Sequence, residues 1–581
     1  MTVHAYPRPS LSPSPSPSGT AWQSLHLALH ADGAETDAFV TGALAPLMDE
    51  RYGREGAAWF FIRYGEGGPH LRIRFRGAGA ADRAGRDAAG LAAELGLLAA
   101  GLAPLSGPWP SRHGEVRAVP YEPETERYGG PGALPVAEEV FVHATRAAVA
   151  ALRAVPGRTE RLRLALDFAH ATAYALGLDE RAAAGWLRRH AASWRWVTEV
   201  EPLPGAAVHT RVNTVFAAQR ENLARRARAV RAGLDGGSAA PWLAEWVRQV
   251  GAADVRLREA VPAGRPGTPE RADRRLWVWA SQLHMLFNRL GVTPDEERAV
   301  CRLAGRALLE APGTGAGGGF FGSGPDAADY QYLERSKFQI GRAQDTAVRD
   351  IPVPAAAPAR YRPEGELLLP AAPLPELSLA EALRRRSSAR GALRGPLTAE
   401  ELGGVLWHAH APSHETRQSL ADGTERALSH RPYPSAGALY SVRVRLLALD
   451  VAGLPAGTYH CVPERRSLVR FGPAPELAAP QALSSYLSRS ADDPDAVGVD
   501  EAPAVLAVHL DLGLLRRRYG LRALRLGLLE AGHLAQTLLL TAGAFGLSTI
   551  PLGGLHDDLA HELLGLDDLD EPIQYLLPLG R

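Results

Sequence analysis

Trp59-Phe-Phe-Ile-Arg-Tyr-Gly-Glu-Gly-Gly-Pro-His-Leu-Arg-Ile-Arg-Phe75 is two apolar-rich runs joined by a turn-forming Gly-Glu-Gly-Gly-Pro, the pattern of a β-hairpin. Side chains alternate along a strand, so His70, Arg72 and Arg74 share one face while Leu71, Ile73 and Phe75 share the other. The apolar face is made for a core. The basic face suits an anion or a developing oxyanion, or forms the solvated outer side of an antiparallel sheet. Long Ala/Leu/Arg segments follow, including Glu138–Arg153 and Arg161–Leu176, and read as helices. Farther on, Leu379–Arg386 and Ala399–His408 look helical, Val442–Leu449 and Ala504–Leu510 look like strands, and Glu530–Phe545 looks like a long helix. Two mixed α+β units fit this order better than one.

The strongest composition break is Ala311–Gly324, APGTGAGGGFFGSG. No apolar strand precedes it and no helical pattern follows directly, so a GxGxxG reading fails and the run reads as a linker. The expected organisation is a disordered Pro/Ser tail over 1–20, a first domain over 21–311, a Gly-rich linker over 312–325 and a second domain over 326–581. A Pro/Ala-rich stretch, Ile351–Pro375, is a second candidate boundary.

Composition sets outer limits. At 46% hydrophobic and 22% charged, the 581 residues can bury a core, which excludes wholesale disorder. With 64 basic and 64 acidic side chains the net charge is zero, which argues against a nucleic-acid protein working through its overall field. Lys337 is the single lysine; arginine elsewhere reads as a coding bias. Cys301 and Cys461 lie too far apart for a disulfide framework and fit a reducing cytoplasm. The Tyr6–Gly19 tract has no apolar core and so is no secretory signal. Leu534–Leu555 is long and uncharged, yet its Gln536, glycines, threonines and Pro551 favour a buried helix, turn and strand over a membrane span.

Two further segments stand beside the hairpin. In Tyr121-Glu-Pro-Glu-Thr-Glu-Arg-Tyr-Gly-Gly130, the proline and glycine pair put Glu124 and Arg127 on or near a loop. In Ser281-Gln-Leu-His-Met-Leu-Phe-Asn-Arg-Leu-Gly291, His284 and Asn288 share one helical face and Gly291 supplies a C-cap. The next helix starts at Thr293, with Pro294 at its first position and Glu296 completing a capping box. A lone helical histidine is more often packed than catalytic. Together, however, these three motifs over Trp22–Ala311 resemble the C-terminal, glutamate-elimination domain of lantibiotic dehydratases, a family that includes thiopeptide-type bacteriocin biosynthesis proteins.

The resemblance implies that glutamate esterified to Ser or Thr of a precursor peptide is expelled, giving dehydroalanine or dehydrobutyrine. It assigns Arg72, Arg74, Glu124, Arg127 and His284 to the elimination, with His284 as acid/base and the arginines stabilising the enolate and the leaving glutamate. Which arginine does which stays open. The glutamylation part of a full-length dehydratase has no room here, so a separate tRNA-dependent glutamylation protein is implied. Pyridine synthases share this domain, so a pyridine-forming [4+2] cyclase is a rival reading, as is a mere peptide-binding module.

The second half carries Arg386-Ser-Ser-Ala-Arg390, whose two guanidiniums and hydroxyl suit a phosphate, or form a solvated helix end. Pro434-Ser-Ala-Gly-Ala-Leu-Tyr440 is a turn of small residues that lets a flat ring approach the backbone. Glu530-Ala-Gly-His-Leu-Ala-Gln536, Gly546–Gly554 and the terminal Leu577-Pro-Leu-Gly-Arg581 follow. From Asp329 to Arg581, opening with Tyr332-Leu-Glu-Arg-Ser-Lys337, the series is similar to the nitroreductase fold and to SagB-type azoline dehydrogenases. That similarity implies FMN, oxidation of peptide thiazolines or oxazolines to azoles, an upstream cyclodehydratase, and a homodimer formed through the flavin domain. It places Arg386, Ser388, Arg390 and Arg581 at the FMN phosphate or ribityl chain, and Ser435, Gly437, Gly553 and Gly554 beside the flavin. Related dehydrogenases often carry a Lys-Tyr pair where this chain has Arg518-Tyr519. Arginine stays protonated and cannot act as a base, so Tyr519 supported by Arg518, or water, would move the proton.

The fusion order resembles that of bifunctional thiopeptide-pathway enzymes acting on one glutamylated, azoline-bearing precursor peptide, without direct nucleic-acid or membrane contact. Two patterns are set aside. Trp407-His-Ala-His-Ala-Pro-Ser-His414 offers three histidines but reads as a mobile loop and not a metal site. Glu530 and His533 have the i, i+3 spacing of a di-iron helix, but no second such pair exists.

Overall fold

The Trp59–Phe75 hairpin forms two strands of a four-stranded antiparallel sheet. The strands are β1 (Gln23–Ala28), β2 (Ala58–Tyr64), β3 (His70–Arg76) and β4 (Val116–Ala118), in the order β2-β3-β1-β4. The computed structural model describes residues 22–77, 81–193, 202–260, 269–310, 327–337, 366–419, 425–489, 493 and 497–581. The Pro/Ser tail, the Gly-rich run and most of the stretch 351–375 lie outside the described residues.

The chain is an α+β protein of two compact units, one of residues 1–191 and 219–309, the other of 192–218 and 310–581. Segment 192–218, inside the span read as the first domain, groups with the second unit.

In the first unit, register fixes which face of the sheet carries what. Leu71 and Ile73 of β3 sit opposite Leu27 and Leu25 of β1, and Ile73 and Phe75 opposite Phe61 and Trp59 of β2. All seven are buried in one core with Phe39, Leu44 and Met48, and with Leu91 and Leu95 of the helix Ala81–Ala100. Each such side chain contributes about 1.5–3 kcal/mol on burial. The face carrying His70, Arg72 and Arg74 is not simply solvated. Phe60 on that side packs with Phe141 and Val142 of the helix Leu134–Ala154 and Met285 of the helix Pro269–Leu290. The segment Arg161–Leu176 forms the helix Arg158–Ala175.

The second unit holds β5 (Glu366–Leu368), β6 (Gly391–Ala392), β7 (His414–Ser419), β8 (Glu425–His430), β9 (Val442–Ala448), β10 (Gly457–Val462), β11 (Ser467–Pro473), β12 (Val497–Gly498), β13 (Ala504–Leu510), β14 (Ser548–Thr549) and β15 (Ile573–Gly580). Seven of them make an antiparallel sheet in the order β14-β15-β13-β9-β10-β11-β5. Every residue of β13 is buried, which fits its apolar run Ala504–Val508. Leu506 and Val508 face a core built with Leu402 and Leu406 of the helix Ala399–His410 and Leu534 and Leu538 of the helix Ala523–Ala544. Val505 and Ala507 face a second core with Leu483, Ala560 and Leu564. Both faces of the sheet are therefore covered.

Leu534–Leu555 is the end of that long helix, a turn and β14, and no described helix is long and apolar enough to cross a membrane. One expectation fails. Trp407–His414 is no loop: His408 and His410 end the helix Ala399–His410 and His414 opens β7. His410 is fully buried, with Nδ1 3.0 Å from the Tyr433 hydroxyl and 3.4 Å from Arg431 Nη1.

Candidate functional site

The first constellation is assembled from β3, the loop after β4 and the helix Pro269–Leu290. Arg74 is only 7% exposed, and neither its Nε nor its Nη1 has a hydrogen-bond partner. Its guanidinium carbon lies 4.9 Å from the Tyr121 ring centre and 5.7 Å from that of Phe60, cation–π contacts that offset part of the desolvation cost. Burial lowers its pKa, with the Arg72 charge adding to that and Tyr121 opposing it. A guanidinium still stays charged. Arg72 lies farther out, stacked on Tyr64 at 3.3 Å and donating from Nε to His70 Nε2 at 3.2 Å.

The loop holds Glu124 and Arg127 in an ion pair of 2.8 Å. Gly129 and Gly130 take φ values of 95° and 92°, which return the chain toward the helix Leu134–Ala154. Arg127 Nε reaches Ser281 Oγ at 3.4 Å, one helical turn before His284. The helix is locked to β2 because Asn288 exchanges two hydrogen bonds with the Arg63 backbone, at 2.9 and 2.8 Å. Gly291 ends it at φ 72°, and Thr293 and Glu296 form the expected capping box on the helix Pro294–Leu308.

His284 Nδ1 lies 2.9 Å from Glu297 Oε2, and Glu297 Oε1 lies 2.6 Å from His190 Nε2. Glu297 is 1% exposed. Burial alone would raise its carboxyl, but the His284 charge and the hydrogen bonds from His190 and His284 outweigh this and bring it to about 2. Arg289, fully buried, donates to Thr145 Oγ1 and the Met285 carbonyl, and burial lowers it to about 9. Sequence reasoning missed Glu297, His190 and Arg289. A glutamate in the first turn of a helix reads as a dipole partner, and His190 stands 107 residues away.

The second constellation centres on the Pro434–Tyr440 turn. Glu530, 1% exposed, accepts from Ser435 Oγ at 2.7 Å, Ser441 Oγ at 3.1 Å and the Val442 amide at 3.0 Å. Glu530 thus ties the turn to β9. Gly437 has φ 60°, and a Cβ there would sit 2.4 Å from the Tyr519 hydroxyl and 3.3 Å from Arg518 Nε. The turn, Tyr519 and Arg518 are thereby brought together. Arg518 Nε and Nη1 are buried without a hydrogen-bond partner.

Arg386, Ser388 and Arg390 are exposed on the irregular segment between the helix Leu379–Arg385 and β6. That segment runs beside β14 through Ala389 N–H to the Thr549 carbonyl at 3.0 Å. Gly553 and Gly554 are exposed, and the Gly554 carbonyl accepts from Ser484 Oγ at 2.6 Å. Arg581 is engaged elsewhere, donating to the Pro396 carbonyl at 3.1 Å and pairing with Glu401 at 2.5 Å.

Residues 22–308 match the family described as lantibiotic biosynthesis dehydratase, C-terminal, and residues 383–581 match the nitroreductase family. A Methanocaldococcus jannaschii protein described as a nitroreductase is 30% identical over 206 residues, 36% of this chain and 92% of that protein. The chain is a lantibiotic dehydratase C-terminal domain fused to a nitroreductase-family domain. The nitroreductase domain is related to the microcin B17-processing protein McbC of Escherichia coli, 31% identical over 141 residues, 24% of this chain and about half (49%) of McbC. Among solved structures, the pyridine synthase TbtD from thiomuracin biosynthesis aligns at 23% identity and TM-score 0.37 over 50% of this chain and 97% of that one. The tRNA-dependent lantibiotic dehydratase MibB from Microbispora sp. 107891 aligns at 27% and 0.34 over 51% and 29%.

Proposed function

We propose that this dehydratase–nitroreductase fusion tailors a ribosomal precursor peptide twice, eliminating glutamate from glutamylated Ser or Thr and oxidising azolines to azoles. The observation that carries the first half is Arg74, a charged guanidinium buried with two nitrogens, Nε and Nη1, lacking a hydrogen-bond partner. Such a group costs about 1–3 kcal/mol when left unpaired, and a developing enolate oxygen or a leaving carboxylate would repay that cost at the moment of reaction. In the elimination, the α-hydrogen leaves as a proton, the Cα–Cβ double bond forms and the Cβ–O bond breaks to release glutamate. His284 takes the proton, Arg74 and Arg72 face the oxyanion, and Arg127 with Glu124 steadies the loop beside the leaving group.

For the second half, the donor set of Arg386, Ser388 and Arg390 suits the phosphate of FMN, and the missing Cβ at Gly437 lets the Tyr519 hydroxyl approach the turn. Ser435, Gly553 and Gly554 would line the ring, with Arg581 near the phosphate only if it released Glu401. Bound FMN would supply the acceptor for a hydride from the azoline β-carbon. Tyr519 in its phenolate form, held by the orphaned Arg518 donors, or a water molecule would take the α-proton. A separate tRNA-dependent glutamylation protein and a cyclodehydratase would act first, in the cytoplasm, and the nitroreductase domain would dimerise.

Incubating the purified chain with a glutamylated, azoline-bearing peptide tests both halves by mass. Loss of one glutamic acid per ester, abolished in His284→Ala, and loss of two hydrogens per azoline with yellow protein are expected. Ester returned unchanged removes the elimination. Colourless protein that takes up no added FMN removes the oxidation.

A further inference from the structure

The geometry points to Glu297 as the positioning residue that selects which nitrogen of His284 does the proton transfer, with His190 as its second hold. The inference rests on the elimination reading for its activity arm only. A carboxylate is an acceptor on both oxygens. Held between His284 Nδ1 at 2.9 Å and His190 Nε2 at 2.6 Å, it requires an N–H on each facing nitrogen. His284 therefore carries its fixed proton on Nδ1, and Nε2 is the position that takes up and returns the substrate proton. The three groups come from three helices, Glu180–Ser193, Pro269–Leu290 and Pro294–Leu308, so the tautomer is set by tertiary packing. The 1% exposure of Glu297 keeps water from replacing it, and its negative charge stabilises the imidazolium formed when Nε2 is protonated.

The test begins with ring nitrogen NMR on the full chain with labelled histidine, His284 being assigned by its loss in His284→Asn. A neutral ring with its proton on Nδ1 and none on Nε2 is expected; the opposite tautomer overturns the proposal whatever the enzyme does. Glu297→Gln has one oxygen for two N–H groups, so it should scramble the tautomer and lower kcat about 10- to 100-fold with KM unchanged. Glu297→Asp keeps a carboxylate and should retain the Nδ1 proton and part of the rate. A Glu297→Gln enzyme with kcat within about twofold of the parent and an unaltered His284 spectrum refutes the assignment. Should the parent itself release no glutamate, the elimination reading fails while the tautomer measurement still decides this one.

Discussion

Under the proposed elimination, Arg74 would trade stability for reactivity. Its guanidinium is desolvated against Tyr121 and Phe60, and two of its donors have no partner. Exchanging a buried, unsatisfied charge for an apolar side chain of similar length is often stabilising. Arg74→Met should therefore raise the thermal midpoint of the first unit, roughly 1 kcal/mol of gain being the scale of one unsatisfied donor. The same variant should lower elimination at least about 100-fold, the usual loss when an oxyanion donor is removed. Calorimetry beside the mass assay checks both; a destabilised variant would mean that Arg74 is structural. The alternation His70-Leu-Arg-Ile-Arg-Phe75 made the placement of Arg74 on the basic face legible. Its burial was not, because it depends on Tyr121 and on helices more than 50 residues away in sequence.

At the scale of elements, local signals were read well and distant ones were not. Gly291, Thr293, Pro294 and Glu296 lie within six residues and each acts on its neighbours, so the helix stop and restart are written in the sequence. The same restart aims Glu297, in the first turn, at His284 and His190, and nothing local announces that. The cap should therefore matter twice. Thr293→Ala removes the acceptor for the Glu296 amide and should cost about 1 kcal/mol, or roughly 2–4 °C in midpoint for a unit of this size. It should also loosen the Glu297 clamp and lower kcat by a smaller factor than Glu297→Gln does. Thermal melts and the elimination rate measured on one preparation check the pair, and a melt shift with an unchanged rate would uncouple cap from clamp. The second unit repeats the lesson: the Pro434–Tyr440 turn was legible from its small residues, whereas Trp407–His414 misled because Pro412 ends a buried helix instead of opening a loop.

For the molecule as a whole, buried histidines set the response to acid. Nine described histidines have lowered pKa values: His26, His30, His70, His143, His170, His410, His460, His509 and His561, in each case with burial as the largest cause. His170 is brought to about 4 in the first unit. In the second unit His410 and His509 lie well below the ordinary value, and neither ring nitrogen of His509 has a hydrogen-bond partner. Below about pH 6.5 the unfolded chain protonates these rings and the folded chain does not, so the unfolded state binds more protons. Stability then falls with falling pH, by about 1.4 kcal/mol per pH unit for each fully buried ring, until the folded pKa is reached. Glu297 adds nothing in this window, since its depressed carboxyl withdraws stability only as pH falls from about 4.5 toward 2. Glu138 and Asp167, both raised by burial, act in the opposite sense, but two carboxyls face nine rings. Thermal midpoints should be highest above about pH 7 and drop steeply toward pH 5 in both units, with His509→Leu flattening the slope for the second unit. A profile flat from pH 7.5 to about 5 would mean that the buried rings find partners on protonation, and that the cores around His170 and His509 admit charge far more easily than their packing implies.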